Sequence, residues 1–138
     1  MRLSSMADYA VVTMSAAARH CGGARVSAAQ LARETGLPVP TVQKLVSILT
    51  SAGLLRSIRG HHGGLQLARP AAAITLADIV EAVEGPIAIA SCDDHGKQEC
   101  ALEDCCSLRP HWPMVNAALR SALADVPLTR LAQLEEPA

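Results

Sequence analysis

Aromatic residues are nearly absent from this chain of 138 residues, which has no Phe and only Tyr9 and Trp112 as aromatic side chains. The core must therefore be built from Ala, Leu, Val and Ile, and this composition favours helices over an all-β sandwich. The shortage also argues against a base-stacking platform for single-stranded nucleic acid. The length matches one domain that can bury a core without disulfides or a metal.

Long apolar runs are missing as well, and none approaches the roughly 18 residues that a membrane helix needs. The segment from Arg2 to Ala18 faintly resembles a signal peptide, but Asp8, Thr13 and Ser15 interrupt it and favour an ordinary helix. We therefore expect a cytoplasmic protein with no membrane attachment. In a reducing cytoplasm, clustered cysteines indicate metal or redox chemistry rather than structural disulfides.

Charge is distributed unevenly along the chain. Residues 1–70 carry eight Lys or Arg against two Asp or Glu, a net charge of +6, whereas residues 71–138 carry four against eleven, a net charge of −7. A basic half joined to an acidic half is typical of a polyanion-binding module attached to a second unit. Chance clustering on a solvated surface is the alternative.

Two helices are predicted before the first proline. Ser4 or Ser5 caps the first helix, which the glycines at 22–23 end. The second helix runs from Ser27 to Gly36, and Gln30 completes a predicted capping box with Ser27. The apolar face of the first helix comprises Tyr9, Val12, Ala16 and Ala17.

A third helix begins near Pro40 or Thr41, because a proline is tolerated only in the first turn, and Gly53 ends it. Its apolar positions follow helical spacing and leave a polar and cationic face on the opposite side. Two short helices of this kind predict a helix-turn-helix, although a plain helical hairpin shows the same periodicity. The apolar positions are Val42, Leu45, Val46 and Leu49, and the polar ones are Thr41, Gln43, Lys44, Ser47 and Ser51.

A β-hairpin follows directly, with strand-like runs at 54–58 and 65–67 around a glycine-rich turn, and is interpreted as a wing. Arg59 at its tip is suited to a narrow minor groove, where the negative potential is enhanced. His61 and His62 are more simply exposed turn residues than metal ligands, and the turn lacks the residue order of a nucleotide-binding phosphate loop. The candidate DNA contacts are Thr41, Gln43, Lys44, Arg56, Arg59, Gly60 and His61.

The acidic half is also predicted to be helical. Residues 71–73 read as a linker, Thr75 and Asp78 form a capping box, and Gly85 ends that helix. A helix of about eleven residues follows Pro113 and is a candidate dimerisation element, or alternatively packs on its own domain. A last short helix covers residues 128–134. The apolar face of the candidate dimerisation helix comprises Val115, Ala118, Leu119, Ala122 and Leu123.

Four of the five cysteines lie in a polar segment over residues 92–106. The spacing is not the C-x2-C pattern of a tetrahedral zinc site, and adjacent Cys105 and Cys106 cannot easily serve one cluster together. Thiolates on a polar loop suit an iron–sulfur cluster, while zinc and a thiol–disulfide switch remain open from spacing alone. Cys21, near a helix end, is interpreted as a packed residue.

The chain resembles the bacterial iron–sulfur-sensing winged-helix regulators, the family of IscR, NsrR and the SUF-operon regulators. The resemblance covers nearly the whole chain: residues 1–4, the helix-turn-helix, residues 53–60, the glycines at 63–64 and the cysteine segment. Residues 74–85 and 100–104 are most similar to the SUF regulators. The implied fold is mainly α with a small β-hairpin, with a winged helix-turn-helix domain over 1–70. Residues 71–138 then hold a helix, the cluster loop and the dimerisation helix.

The resemblance implies a homodimer on a near-palindromic duplex and a [2Fe-2S] or [4Fe-4S] cluster. By position, its cysteine ligands are Cys92, Cys100 and Cys106. NsrR-like relatives have an aspartate at the position of Asp8, which reaches the partner subunit's cluster and is our choice of fourth ligand; His111 is the alternative.

The sequence departs from the family pattern at the wing and after the last cysteine. His62 and Leu65 stand where the wing usually has a third glycine and an aromatic residue, and Arg109 stands where IscR-like proteins place a histidine.

The predicted function is that of a DNA-binding regulator, a repressor by family resemblance, that senses iron–sulfur status and controls SUF genes. A regulator of the same fold that responds to nitric oxide or redox stress is the first alternative. A zinc-binding or thiol enzyme is the alternative from another class, with His95 or His111 as the base.

Overall fold

The structure, a computed structural model, describes residues 2–20, 25–60, 63–89, 107 and 109–133. The predicted fold, mainly helical with one small antiparallel hairpin, is confirmed over these residues. Short 3-10 helices cover Ala71–Ala73 and Arg109–His111. The main elements are α1 (Ser5–Ala18), α2 (Ala28–Thr35), α3 (Val39–Ser51), β1 (Leu55–Ile58), β2 (Gly64–Leu67), α4 (Leu76–Glu84), α5 (Trp112–Ala124) and α6 (Leu128–Leu131).

Side-chain caps fix where the helices begin. The Ser27 hydroxyl accepts the backbone N–H of Gln30 at 3.1 Å, but the Gln30 amide donates to Glu34 at 3.3 Å instead of returning to the cap. Only the serine half of that predicted box therefore forms. The second box is confirmed, since the Thr75 N–H donates to Asp78 at 3.0 Å and the Asp78 N–H donates to Thr75 at 3.2 Å.

Four details of the predicted elements are wrong. Helix α3 begins at Val39, one residue early, because Pro40 fits within its first turn. Val12 is 39% exposed, since Ala10 and Met14 place the core on the other side of α1. The predicted linker at 71–73 is a 3-10 helix with Ala71 buried. Helix α6 also ends at Leu131, short of the predicted end.

One buried hydrophobic cluster joins residues from both charge halves. Met14, Leu31 and Leu45 come from α1, α2 and α3, and Ile79 and Leu128 come from beyond residue 70. Helix α1 packs against both α4 and α6, and the Leu128 N–H donates to the Ile74 carbonyl at 2.8 Å. Packing is thus continuous across residue 70, although the charge changes sign there.

The hairpin turns one face to this core. Leu55 pairs with Leu67 and Ser57 with Leu65, and Leu55 and Leu65 are both buried. Because strand side chains alternate, the intervening pair of Arg56 and Gln66 lies on the outer face. In the described part of the chain, no helix has the length and apolar character needed to cross a membrane.

Candidate nucleic-acid interface and regulatory region

The polar face of α3 is presented to solvent. Val42, Leu45 and Leu49 are fully buried, which turns the opposite side of the helix outward. Gln43 and Lys44 are exposed there, and Thr41 is half-buried at the edge of that face. The structure therefore brings these three predicted contacts together at one end of one helix.

Thr35 fixes the turn before α3, a role that sequence reasoning missed. Its hydroxyl donates to the Leu31 carbonyl at 2.7 Å and accepts the Leu37 N–H at 3.3 Å. A threonine at a helix end commonly makes such local bonds, so the residue type was the available signal. The bonds set how the turn leaves α2 and thereby orient α3.

The wing follows α3 with little intervening chain. The Leu54 N–H donates to the Leu49 carbonyl at 3.0 Å, and the Ala68 N–H at the end of the hairpin donates to the Leu54 carbonyl at 3.0 Å. Both ends of the hairpin are therefore fixed beside the C-terminal end of α3. The geometry places a cationic hairpin next to the exposed helix face.

Glycines close the wing tip. Gly60 has a φ of +122°, and its carbonyl accepts the Gly63 N–H at 2.9 Å. A Cβ at Gly63 would collide with the Ile58 carbonyl oxygen, so the turn requires glycine there. Arg59 and Gly60 are exposed beside this turn, while His61 lies outside the described residues.

Arg56, the remaining predicted wing contact, is exposed and already oriented. Its Nη2 donates to Oε1 of Gln66 at 3.0 Å across the two strands. The bond uses one of the five guanidinium donors and leaves the positive charge unneutralised. Sequence reasoning did not single out Gln66, because only the strand register makes it a neighbour of Arg56.

A side-chain hydrogen bond joins the ends of the first two helices. His20 Nε2 lies 2.9 Å from a Glu34 carboxylate oxygen. The hydrogen bond from His20 lowers the pKa of Glu34, with a smaller lowering from Gln30. One of the two acidic residues of the basic half is therefore engaged by its own neighbours.

Helix α5 is fixed to its own chain by polar contacts. Asn116 is 6% exposed, and its Oδ1 accepts the Ile89 N–H at 2.8 Å. Arg120 Nε donates to Oε1 of Glu81 on α4 at 2.7 Å. Both residues lie on one side of α5, so the helix turns its other side away from the core.

The outward side of α5 is apolar. Met114 is 68% exposed, the largest exposure among the large hydrophobic residues that the structure describes. Of the predicted apolar face, Ala118 and Ala122 are exposed, and Val115, Leu119 and Leu123 are half-buried. The helix therefore packs on its own domain only in part, and a row of small side chains remains accessible.

Of the predicted cluster ligands, the structure describes the two candidate fourth ligands but not the cysteines. Cys92, Cys100 and Cys106 lie outside the described residues, as do Cys21 and Cys105. Asp8 is exposed in the first turn of α1, and His111 is exposed at the N-cap of α5. The described ranges contain no group of three His, Cys, Asp or Glu side chains that could hold a metal ion.

A helix-turn-helix with a wing defines the chain as a winged-helix transcriptional regulator. The model of the Rrf2 family, described as an iron-dependent transcriptional regulator, matches residues 3–134. The chain belongs to the Rrf2 family. The predicted resemblance is thereby confirmed.

Curated relatives agree with this assignment. The protein aau3 of Rhizobium meliloti (strain 1021) is 40% identical over 124 residues, covering 89% of this chain and 75% of the relative. The HTH-type transcriptional regulator IscR of Xenorhabdus nematophila is 31% identical over 136 residues, covering 99% of this chain and 82% of the relative.

Solved structures match over almost the whole chain. CymR, the global cysteine regulator of B. subtilis, has a TM-score of 0.74 at 28% identity and covers 99% of both chains. IscR of T. potens has a TM-score of 0.71 at 28% identity, covering 98% of this chain and 89% of that one. These relatives are transcriptional regulators, so the chain is a regulator and not an enzyme.

Proposed function

We propose that this regulator binds duplex DNA as a homodimer and responds to an iron–sulfur cluster held by its own cysteines, controlling genes of SUF cluster assembly. The observation that carries the proposal is the exposed pair Gln43 and Lys44 on α3 beside a wing with exposed Arg56 and Arg59. Residues 1–70 then supply the DNA-binding part and residues 71–138 the sensing and dimerising part. A regulator of this kind acts on DNA in the cytoplasm.

Base recognition is assigned to the first turns of α3. The Gln43 amide can form two hydrogen bonds with adenine, Lys44 can reach guanine or phosphate, and Thr41 can contact either a base or the backbone. Arg59, Gly60 and His61 at the wing tip are assigned to the minor groove, where an arginine is favoured by the enhanced negative potential.

The Gln43→Ala variant tests this assignment. At one base position, the variant should lose about 1–3 kcal/mol of the binding free energy that distinguishes the preferred base from the others, because one bidentate contact is removed. The measurement is binding to a duplex that the wild-type protein selects from a random pool, compared with single-base variants of it. Ser51→Ala, at the far end of the same exposed face, is the matched control. Equal weakening on every duplex would make Gln43 a phosphate contact.

The homodimer is assigned to the outward side of α5. Small side chains at Ala117, Ala118 and Ala122 allow a second helix to approach closely, and Met114 extends the apolar surface. Ala118→Glu should convert the dimer to a monomer in sedimentation, because it places a charge in the contact. Ala72→Glu is the control, since it makes the same change at an exposed residue on another element. A monomeric wild-type protein, or a dimeric Ala118→Glu variant, would contradict the assignment.

The chemistry of the donor set supports the cluster. Three thiolates in one polar segment are the ligands that iron–sulfur clusters prefer. Cys92, Cys100 and Cys106 would hold it, and Cys21 and Cys105 would be dispensable. Each cysteine is changed to Ala, and iron and sulfide are measured after anaerobic purification. Loss of iron in Cys105→Ala with full iron in Cys106→Ala would reverse the choice between these neighbours.

Asp8 is assigned as the fourth ligand, contributed to the partner subunit. It is exposed on α1, one turn before Val12, an exposed apolar residue on the same side. A carboxylate beside an uncovered apolar residue is suitably placed for contact with a second copy. A ligand that crosses between subunits would link the cluster to the relative position of the two DNA-binding heads.

Asp8→Ala and His111→Ala distinguish the two candidate fourth ligands. We expect Asp8→Ala to change the visible spectrum of the cluster and its effect on DNA affinity, with His111→Ala unchanged. An unchanged spectrum in Asp8→Ala and a changed one in His111→Ala would assign the ligand to His111. If Asp8 acts only as a negative charge at the N-terminus of α1, it contributes about 0.3–1 kcal/mol to stability, and Asp8→Ala does not change the spectrum.

A second candidate is a regulator of the same fold that responds to nitric oxide or redox stress. This candidate is supported by the similarity to CymR, which is named as a cysteine regulator and not as a sensor of cluster supply. DNA affinity is measured with the anaerobic protein before and after exposure to nitric oxide or peroxide. A protein that binds DNA but carries no iron after anaerobic purification would contradict cluster sensing and favour a thiol response.

A further inference from the structure

A third segment of backbone pairs with the β1–β2 hairpin of the wing, and the sequence patterns did not predict it. Val26, between α1 and α2, exchanges two backbone hydrogen bonds with Leu65 on β2, at 3.2 Å and 2.7 Å. Arg25, the residue before Val26, therefore lies on the outer side of β2, the strand whose Gln66 pairs with Arg56 on β1.

The three side chains share the outer face of the wing. Val26 and Leu65 are buried, so their neighbours along each strand turn toward solvent. Arg25 and Arg56 are exposed, and Gln66 is half-buried between their strands. The Cβ of Arg25 also lies 3.2 Å from the position that a Cβ on Gly64 would occupy, which places Arg25 against the outer face of β2.

Gln66, the neutral residue among these three side chains, leaves the positive charge of the two arginines intact. The amide oxygen of Gln66 accepts a hydrogen bond from the Arg56 guanidinium at 3.0 Å and so orients it. The amide is neutral, so the arginine keeps its full charge, whereas a carboxylate in its place would cancel it. The two acidic residues of the basic half, Asp8 and Glu34, belong to α1 and α2. Arg25 and Arg56 lie on opposite sides of β2, so their backbones are at least two inter-strand spacings, about 10 Å, apart, and each can meet a different phosphate.

We propose that Arg25, Gln66 and Arg56 form a phosphate-binding row on the wing of this protein. Arg25 and Arg56 contact the DNA backbone, and Gln66 is a positioning residue that holds the Arg56 guanidinium. The proposal rests on the proposed DNA binding and extends it to two residues outside the helix-turn-helix and the wing tip. Phosphate contacts of this kind set affinity and its salt dependence, whereas base contacts set sequence preference.

Salt dependence tests Arg25. Affinity for the duplex selected by the wild-type protein is measured between about 50 and 200 mM salt. Loss of one phosphate contact in each subunit of a dimer should reduce the slope of log K against log salt by about 1.8, and Arg25→Ala should show this reduction. Arg25→Lys should keep the wild-type slope because it keeps the charge. Arg130→Ala, which removes a cation from α6, is the control and should also keep it.

A double-mutant cycle tests Gln66. Gln66→Ala should weaken DNA binding in the wild-type background and have no further effect in an Arg56→Ala background, because its action passes through Arg56. A merely structural role would weaken binding equally in both backgrounds. Thermal unfolding of each variant verifies that the fold is retained.

The outcomes separate this proposal from the proposed function. A wild-type protein that selects no duplex would overturn DNA binding and the row together. Normal wild-type binding with an unchanged slope in Arg25→Ala would overturn the contact at Arg25 alone. Equal effects of Gln66→Ala in both backgrounds would overturn its positioning role and leave the function of α3 intact.

Discussion

The basic residues 1–70 and the acidic residues 71–138 differ in charge but contribute to the same hydrophobic core. Met14 and Leu45 from the first part are buried in one cluster with Ile79 and Leu128 from the second. Charge is a property of the exposed side chains of each part, whereas packing follows the apolar faces of the helices. The two parts can therefore have different functions although they share one hydrophobic core.

The two parts also differ in how they present their surfaces. Helix α3 buries Val42, Leu45 and Leu49 and exposes a polar face on the opposite side. Helix α5 buries Asn116 and exposes Met114, the reverse of a helix that serves only its own core. The exposed face of α3 is therefore polar, whereas the outward side of α5 is apolar.

The largest expected effect comes from separating the two parts. A chain that ends at residue 70 loses α4 and α6, which cover α1. We expect it to lose the cooperative thermal transition of the whole chain, because Met14 and Ala10 would become exposed. Circular dichroism during heating is the measurement, and a chain that ends at Gln133 is the control. A cooperative transition at the midpoint of the whole chain would show that the basic part has a sufficient core of its own.

A smaller effect is expected from removing one helix cap in each part. Thr75→Ala should reduce the free energy of unfolding by about 1 kcal/mol, because it breaks a capping box with two hydrogen bonds. Ser27→Ala should cost less, since only one side-chain bond forms there. Urea unfolding is the measurement, with exposed Ser57→Ala as the control. Both variants should shift one shared transition; two separate transitions would contradict the common core.

The smallest effect concerns the hydrogen bond between His20 and Glu34 in the basic part. His20→Ala should raise the pKa of Glu34 toward its ordinary value, because the hydrogen bond from His20 is the main cause of its lowering. Since the folded-state pKa is the lower one, the contribution of Glu34 to stability is present above the ordinary carboxyl pKa. It is lost as the pH falls through the lowered value. NMR titration of the Glu34 carboxyl carbon is the measurement, and Gln30→Ala should produce a smaller rise.

Local patterns were sufficient for much of the fold. The spacing of Val42, Leu45 and Leu49 predicted α3 and its exposed face, and the glycines after β1 predicted the wing. Thr75 and Asp78 predicted their capping box because each partner lies within one helical turn of the other. The cysteine ligands and Asp8 remain predictions that rest on the family resemblance and on the chemistry of thiolates.

Other features depended on partners far away in the chain. Val12 has the residue type of a core position, yet the covering of α1 by α4 and α6 leaves it outside. The inner and outer sides of α5 were set by Asn116 with Ile89 and by Arg120 with Glu81, which are 27 and 39 residues apart in sequence. No periodicity within α5 encodes those contacts.

The sequence by itself determined the helix-turn-helix, the wing and the division of charge. The helices and the wing depend on the spacing of neighbouring residues, and the division of charge depends on composition alone. The tertiary structure alone decided that the core continues across residue 70 and that α5 turns Met114 outward. It also decided that Val26 brings Arg25 to the outer side of β2 in the wing. These arrangements depend on which faces meet once the chain is packed, and a single bridging residue such as Val26 carries no strand pattern of its own.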